Sequence, residues 1–184
     1  MAFSVTDFTG VISSRGLASS NKFEVDIYFP LTGSKKEMNL MCDTASIAGK
    51  NIQSTVDLQY GIRREIAYGA PTYDPLTLTF YCTEALTEKK LLDNWQQKMV
   101  RTSAASGSNN GGTFDVGYYD EYAKDTKIIV TKLSVTGETV YKHEYREAYP
   151  KTISAIELSH GTSSGPMKVS ATFNYTYWKD VTTP

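Results

Sequence analysis

From Lys168 to Trp178 the chain alternates without interruption: Val169, Ala171, Phe173, Tyr175 and Tyr177 share one side of an extended backbone, and Lys168, Ser170, Thr172, Asn174 and Thr176 share the other. A period of two predicts one long β-strand near the C-terminal end of the sequence. A strand this rich in β-branched and aromatic residues exposes a row of backbone donors and acceptors unless other strands cover its edges, including strands from another subunit.

The same alternation opens the ordered part of the chain. Asn21 to Pro30 sets Phe23, Val25, Ile27 and Phe29 against Lys22, Glu24, Asp26 and Tyr28, the pattern of a half-buried strand. A turn at LTGSKK leads to a second strand over about Met38 to Ser46. The pattern breaks at Ala48 to Gln53, resumes with Val56, Leu58 and Tyr60, pauses at Gly61, and continues extended from Ile62 to Tyr68. After a turn-rich crossing from Gly69 to Pro75, LTLTFYC (Leu76 to Cys82) is strongly β in composition. One helix is expected from Glu84 to Val100: Thr83 is placed to cap it, Glu84 and Glu88 sit at its positive end, and Leu91, Leu92, Trp95 and Met99 recur at helical spacing. Beyond the low-complexity loop Ser103 to Gly112, strands return at Thr113 to Tyr118, Lys127 to Val135, Val140 to Tyr145 and Thr152 to Leu158, with Gly137 and the HGTSSGP segment as turns. The first twenty residues are Ser- and Gly-rich and aperiodic, which predicts a flexible arm over 1–20 ahead of a single domain over 21–184. Many strands around one helix predict a mainly β (α+β) sandwich or barrel-like domain.

Composition narrows the functions more than it suggests them. A hydrophobic fraction of 40% in 184 residues suits one globular core. A formal net charge of -1 argues against a surface built to neutralise phosphates. No apolar run reaches the roughly 20 residues of a membrane span, and the first residues lack the basic flank and apolar stretch of a signal peptide, so a cytoplasmic site of synthesis and no membrane insertion are expected. Cys42 and Cys82 lie in expected strands and read as free, packed thiols rather than a disulfide.

Candidate chemistry is sparse. His143 lies in an alternating run and His160 opens a Gly/Ser turn, and neither has metal-ligand spacing to a cysteine. The sequence contains no nucleophile elbow, phosphate loop, dinucleotide fingerprint or HExxH helix, so no catalytic residue, metal or cofactor is expected. Tyrosines are interleaved with charge in YYDEYAKD and YKHEYREAYP, but the charges are of both signs, which favours strand packing or a subunit interface over base stacking.

The order of segments resembles the tail tube proteins of contractile-tailed bacteriophages, from about Asn21 to Trp178. NKFEVDIYFP is similar to the family's first strand, MCDTASIAGKNI to its second strand and following loop, and YGIRREIAYGA to its Arg-bearing strand. PTYDPLTLTFYCTEALTEKKLLDNWQQKM resembles its strand-then-helix passage, and YREAYPKTISAIELSHGTSSGPMKVSATFNYTYW its paired closing strands. The resemblance implies a β-sandwich with one flanking α-helix whose copies form a hexameric ring with a continuous inner β-barrel. Rings would stack into the inner tube of a contractile tail in the virion, assembled in the host cytoplasm, as the channel for DNA ejection. Partners implied are further copies of the chain, the tail sheath protein, the baseplate and tail-terminator proteins, and, in the lumen without specific binding, the tape-measure protein and genomic DNA. By the same analogy the arm and two loops are candidate ring contacts, with Ala48, Gly49, Lys50, Asn51, Ser106 and Asn109 as interface residues beside Tyr175 and Trp178. The alternatives are a baseplate tube initiator of the same fold, the tube of a related secretion or injection system, and, from another class, an enzyme or carbohydrate-binding sandwich using Trp95 or Trp178.

Overall fold

The computed structural model describes residues 4–30, 33–34, 36–58, 61–102, 114–161 and 165–182. In chain order the elements are α1 Val5–Arg15, β1 Phe23–Phe29, β2 Gly33–Ser34, α2 Lys36–Leu40, β3 Cys42–Ala45, β4 Lys50–Asn51, β5 Ser54–Asp57, β6 Arg64–Ala67, β7 Thr72–Tyr73 and β8 Leu76–Tyr81. There follow α3 Thr87–Met99, β9 Val100–Thr102, β10 Phe114–Val116, α4 Tyr119–Tyr122, β11 Lys127–Leu133, β12 Thr139–Arg146, β13 Tyr149–Ile153, β14 Lys168–Asn174 and β15 Tyr177–Asp180.

Two antiparallel sheets carry the fold, in the orders β15-β12-β11-β1-β2 and β13-β14-β8-β3. The alternation in β1 buries Val25, Ile27 and Phe29, and β11 opposes them in register through Val25↔Val130 and Ile27↔Ile128. On the second sheet Leu76, Leu78 and Phe80 of β8 face Val169, Ala171 and Phe173 of β14. All of these side chains meet in one apolar cluster, so the two sheets share a single core. Helix α3 adds Leu92 and Trp95 to it. The Trp95 ring lies 5.2 Å from Phe29 of one sheet and 6.0 Å from Phe173 of the other, and its indole N–H donates to the Tyr122 carbonyl at 3.0 Å. The helix therefore ties both sheets to α4.

Several elements differ from the sequence expectations, each for a local reason. The long strand Lys168 to Trp178 is two strands: β14 belongs to the second sheet, β15 to the first, and the chain changes sheet at Tyr175 and Thr176. The bend also resets the alternation, so that Trp178 rather than Tyr177 packs against the core. The second strand is shorter than Met38 to Ser46, because Met38 is buried from the helical turn α2. Next to it Asn39 accepts a hydrogen bond from the Ile27 N–H and donates one to the Asp26 carboxylate, occupying part of the β1 edge. Helix α3 begins at Thr87, not Glu84: Leu86 takes a left-handed conformation, and the buried Glu88 carboxylate reaches back to accept from the Thr83 N–H and hydroxyl. The expected strand Thr152 to Leu158 is displaced to Tyr149–Ile153.

The segment read as an aperiodic arm contains α1, so the expected single helix is one of four among the described residues. Ser4 accepts from the Thr6 N–H, and the Gly16 N–H returns to the Ile12 carbonyl with a positive φ at the glycine. These two end signals outweigh the weak periodicity between them. Val5, Phe8 and Val11 on this helix are exposed. Both cysteines are free, as expected, and burial pushes the Cys42 thiol up to about 12, which keeps it protonated at neutral pH.

Trp95→Ala should lower the unfolding free energy by about 3–5 kcal/mol, since it empties the junction of both sheets and leaves the Tyr122 carbonyl without its donor. Urea denaturation of the variant against the parent protein measures this.

Candidate functional site

Six of the eight residues expected at an interface converge at one end of the two-sheet core. The anchor is Tyr145 of β12, fully buried, whose hydroxyl accepts the Ala48 N–H at 3.1 Å. Ala48 is itself buried, so its backbone donor requires a partner within the protein. From there the loop is laced to a second segment. The Gly49 carbonyl accepts from the Asp74 N–H at 3.2 Å, and the Asn51 amide donates to the Asp74 carboxylate at 3.0 Å. Lys50 and Asn51 form β4, paired with β7 through Lys50↔Tyr73 and Asn51↔Thr72. A Cβ at Gly49 would sit 2.7 Å from an Asp74 carboxylate oxygen, so the loop approaches Asp74 more closely than an alanine there would allow without displacing that side chain.

Tyr175, at the change of sheet, closes the arrangement from below. Its hydroxyl donates to the Asp74 carbonyl at 2.8 Å, and its ring packs 4.8 Å from Tyr145 and 5.8 Å from Tyr73. Burial pushes the hydroxyls of Tyr175 and Tyr145 up, so both stay protonated and able to donate. Trp178 of β15 stacks on His143 of β12 with centroids 4.3 Å apart and a 21° interplanar angle, and it meets Tyr73 edge-on at 6.5 Å. Among the described residues its indole nitrogen is buried without a hydrogen-bond partner. The ring therefore contributes through packing.

Ala48, Gly49, Lys50, Asn51, Tyr175 and Trp178 thus belong to one cluster, while Ser106 and Asn109 lie outside the described residues. Lys50 and Asn51 are exposed, Tyr175 and Trp178 half-buried and Ala48 buried, so the loop presents its polar side outward from an aromatic base. Sequence reasoning missed Tyr73, Asp74, His143 and Tyr145. The alternation of Tyr141, His143 and Tyr145 along β12 was visible, but nothing in it shows that the loop at Ala48 lies across its end.

Beyond the loop, β5 and β6 form a hairpin with the register Thr55↔Ile66 and Val56↔Glu65, and no third strand pairs with it among the described residues. Its ladder is almost entirely exposed, including Val56 and Ile66, and Leu58, Ile62 and Tyr68 at its margins are exposed as well. A two-stranded hairpin is marginal in water without a third strand or a packed face. Val56 shares a face with Glu65 and Ile66 shares the other with Thr55, so each face of the hairpin leaves an apolar side chain in water. Among the described residues there is no group of three or more His, Cys, Asp or Glu able to hold a metal ion, and no helix long and apolar enough to cross a membrane.

A domain of two antiparallel sheets over one shared core, with a flanking helix and an exposed two-stranded hairpin, is the class of fold the structure defines. The chain belongs to the phage tail tube protein family, whose sequence profile matches residues 18–181. Solved structures agree in fold. A chain of the anti-feeding prophage baseplate matches with a TM-score of 0.62 at 12% identity, covering 90% of this chain and 95% of that one. A chain of the sheath-tube complex of the extracellular contractile injection system PVC, in its extended state, matches at 0.53 and 12% identity, covering 98% and 100%. The SPP1 tail tube matches at 0.53 and 8% identity, covering 89% and 78%. No curated protein gives a significant sequence match.

Trp178→Ala should cost about 2–3 kcal/mol, the low end for a large aromatic because the side chain is only half-buried. Trp178→Phe, which keeps a ring on His143 and gives up no hydrogen bond, should cost less than about 1.5 kcal/mol. Thermal and denaturant melts of the two variants test the difference, and equal losses would remove the packing argument.

Proposed function

We propose that this tail tube protein builds the inner tube of a contractile tail by forming six-membered rings that stack, leaving a central channel for DNA ejection. The observation that carries the reading is the β5–β6 hairpin, which leaves Val56, Ile66 and their neighbours in water in the single chain. Copies related by rotation bring that hairpin against the strands of the next subunit, and a heterologous contact that closes on itself makes a ring. A continuous inner barrel made this way has no free edges, which removes the aggregation hazard that the single subunit carries. The role is structural, with no catalytic step. The tail sheath, baseplate and tail-terminator proteins are the expected partners outside and at the ends of the tube, with the tape-measure protein and DNA inside it, and the virion tail is its place of action after assembly in the host cytoplasm.

The loop Ala48–Asn51, seated on its aromatic base, is the proposed ring-to-ring contact. A net charge of -1 fits a channel through which a polyanion slides, because strong phosphate capture would retard it.

Negative-stain microscopy of the purified protein should show six-fold rings or tubes. Ile66→Asp should leave the folded subunit with parental circular dichroism while abolishing rings, as judged by sedimentation velocity. A parent protein that stays monomeric at high concentration would falsify this reading.

A further inference from the structure

The two sheets turn different chemistry away from their shared core. On the second sheet the register sets Thr44 of β3 beside Thr79 of β8, Thr79 beside Ser170 of β14, and Thr77 beside Thr172 of β14, which in turn meets Thr152 of β13. Along β8 and β14 these residues alternate with the buried Leu78, Phe80, Ala171 and Phe173, so their hydroxyls cover the outward side of all four strands. The ion pair on this side among the described residues, Lys168 with Asp43 at 2.7 Å, stands at one end, where the ammonium also lies over the Tyr81 ring. Lys151, at the bulge of β13, instead lines a cavity beside α3 with Asp93 and Gln96. On the first sheet Lys127, Lys142, Arg146 and Lys179 all point away from the core.

We propose that the hydroxyl face of the second sheet is the wall that the DNA backbone meets in the channel. This assignment rests on the tube reading, which by itself leaves either sheet free to line the bore. A lysine or arginine on the wall would capture a phosphate and release counterions, a contact that strengthens as salt falls. A hydroxyl that binds a phosphate oxygen is neutral and exchanges that bond for one to water, so little is gained or lost as the strand moves on.

Several of these groups are also engaged within the wall. The Ser46 hydroxyl donates to the Thr77 carbonyl at 3.1 Å and accepts the Thr77 N–H at 3.0 Å. The Ser154 hydroxyl accepts the Ser170 N–H at 3.0 Å, and the Thr79 and Ser170 hydroxyls lie 3.5 Å apart. Threonine is stiff at χ1, so the middle of the wall holds its shape without long side chains that a passing strand would catch. The cations of the first sheet have other company: Lys127 lies 4.3 Å over the Tyr28 ring, and Arg146 is 2.7 Å from Glu144. That mixed-charge face belongs away from the DNA.

Cryo-electron microscopy of tubes assembled from the full-length protein reads the orientation directly: Thr79, Ser170 and Thr172 should face the axis, and Lys142 and Lys179 should not. Sedimentation of the tubes with a short duplex DNA, counting only DNA that survives a nuclease, tests the chemistry. Parent tubes should retain none above a protein-free control. Thr172→Lys, which places a cation from every subunit on the wall, should raise retention about tenfold at low salt and lose that gain as salt rises. Thr152→Lys, at an exposed position of the same face, carries the test if the first variant does not fold. Parent tubes that hold nuclease-resistant DNA as strongly as the lysine variants overturn the assignment. Tubes with the charged sheet on their axis overturn it too and leave the tube reading standing, whereas a protein that forms no tubes overturns the tube reading itself.

Discussion

The chain changes sheet within two residues, and the rest of the site depends on how that crossing is held. β14 ends at Asn174 in one sheet and β15 begins at Tyr177 in the other, so Tyr175 and Thr176 must turn a corner between the two faces of the core. The Thr176 N–H finds the Arg146 carbonyl at 3.1 Å, and its hydroxyl finds the Glu147 carboxylate at 2.6 Å. Tyr119 of α4 donates to the same carboxylate at 2.8 Å. Glu147, in a left-handed conformation between β12 and β13, thus fixes the corner from the neighbouring connection. With the backbone so placed, Tyr175 reaches toward the Asp74 carbonyl and Trp178 lies on His143.

What surrounds the corner divides into parts that are complete in one chain and parts that are not. The core is complete: Ile27, Leu76, Leu78, Phe80, Ile128, Val169 and Phe173 are fully buried without help from a neighbour. The hairpin and the apolar residues of α1 lack comparable cover among the described residues. The split matches the proposed role, in which folding is local and the last hydrophobic contacts form on assembly.

The loop at Ala48 sits on the boundary between these parts. Its inner side is bonded to Tyr145, and its strand β4 is paired with β7, while Lys50 and Asn51 face outward. As the proposed contact element, the loop is pre-organised: the entropy of ordering it is met during folding, and less is lost when a neighbour binds. The aromatic base explains why Tyr and Trp collect here, since they bring large apolar area with a polar atom at the edge.

Much of the core was legible in the sequence. The faces of β1, β8 and β14, the helix bearing Trp95 and the turn at Gly137 all follow from periodicity and turn chemistry, which act over a few residues. The aromatic residues Tyr175 and Trp178 and the loop Ala48–Asn51 were marked as an interface, yet their mutual contact was not, because it joins segments about a hundred residues apart through Tyr145 and Asp74. Alternation alone read Lys168 to Trp178 as one strand, since a period of two is the same on either side of a corner. The sequence by itself determined which side chains are apolar, where they alternate and where the chain can turn. Only the tertiary structure decided which sheet each strand joins and which partner each buried polar group meets, because backbone pairing and buried donors are settled by neighbours distant in sequence.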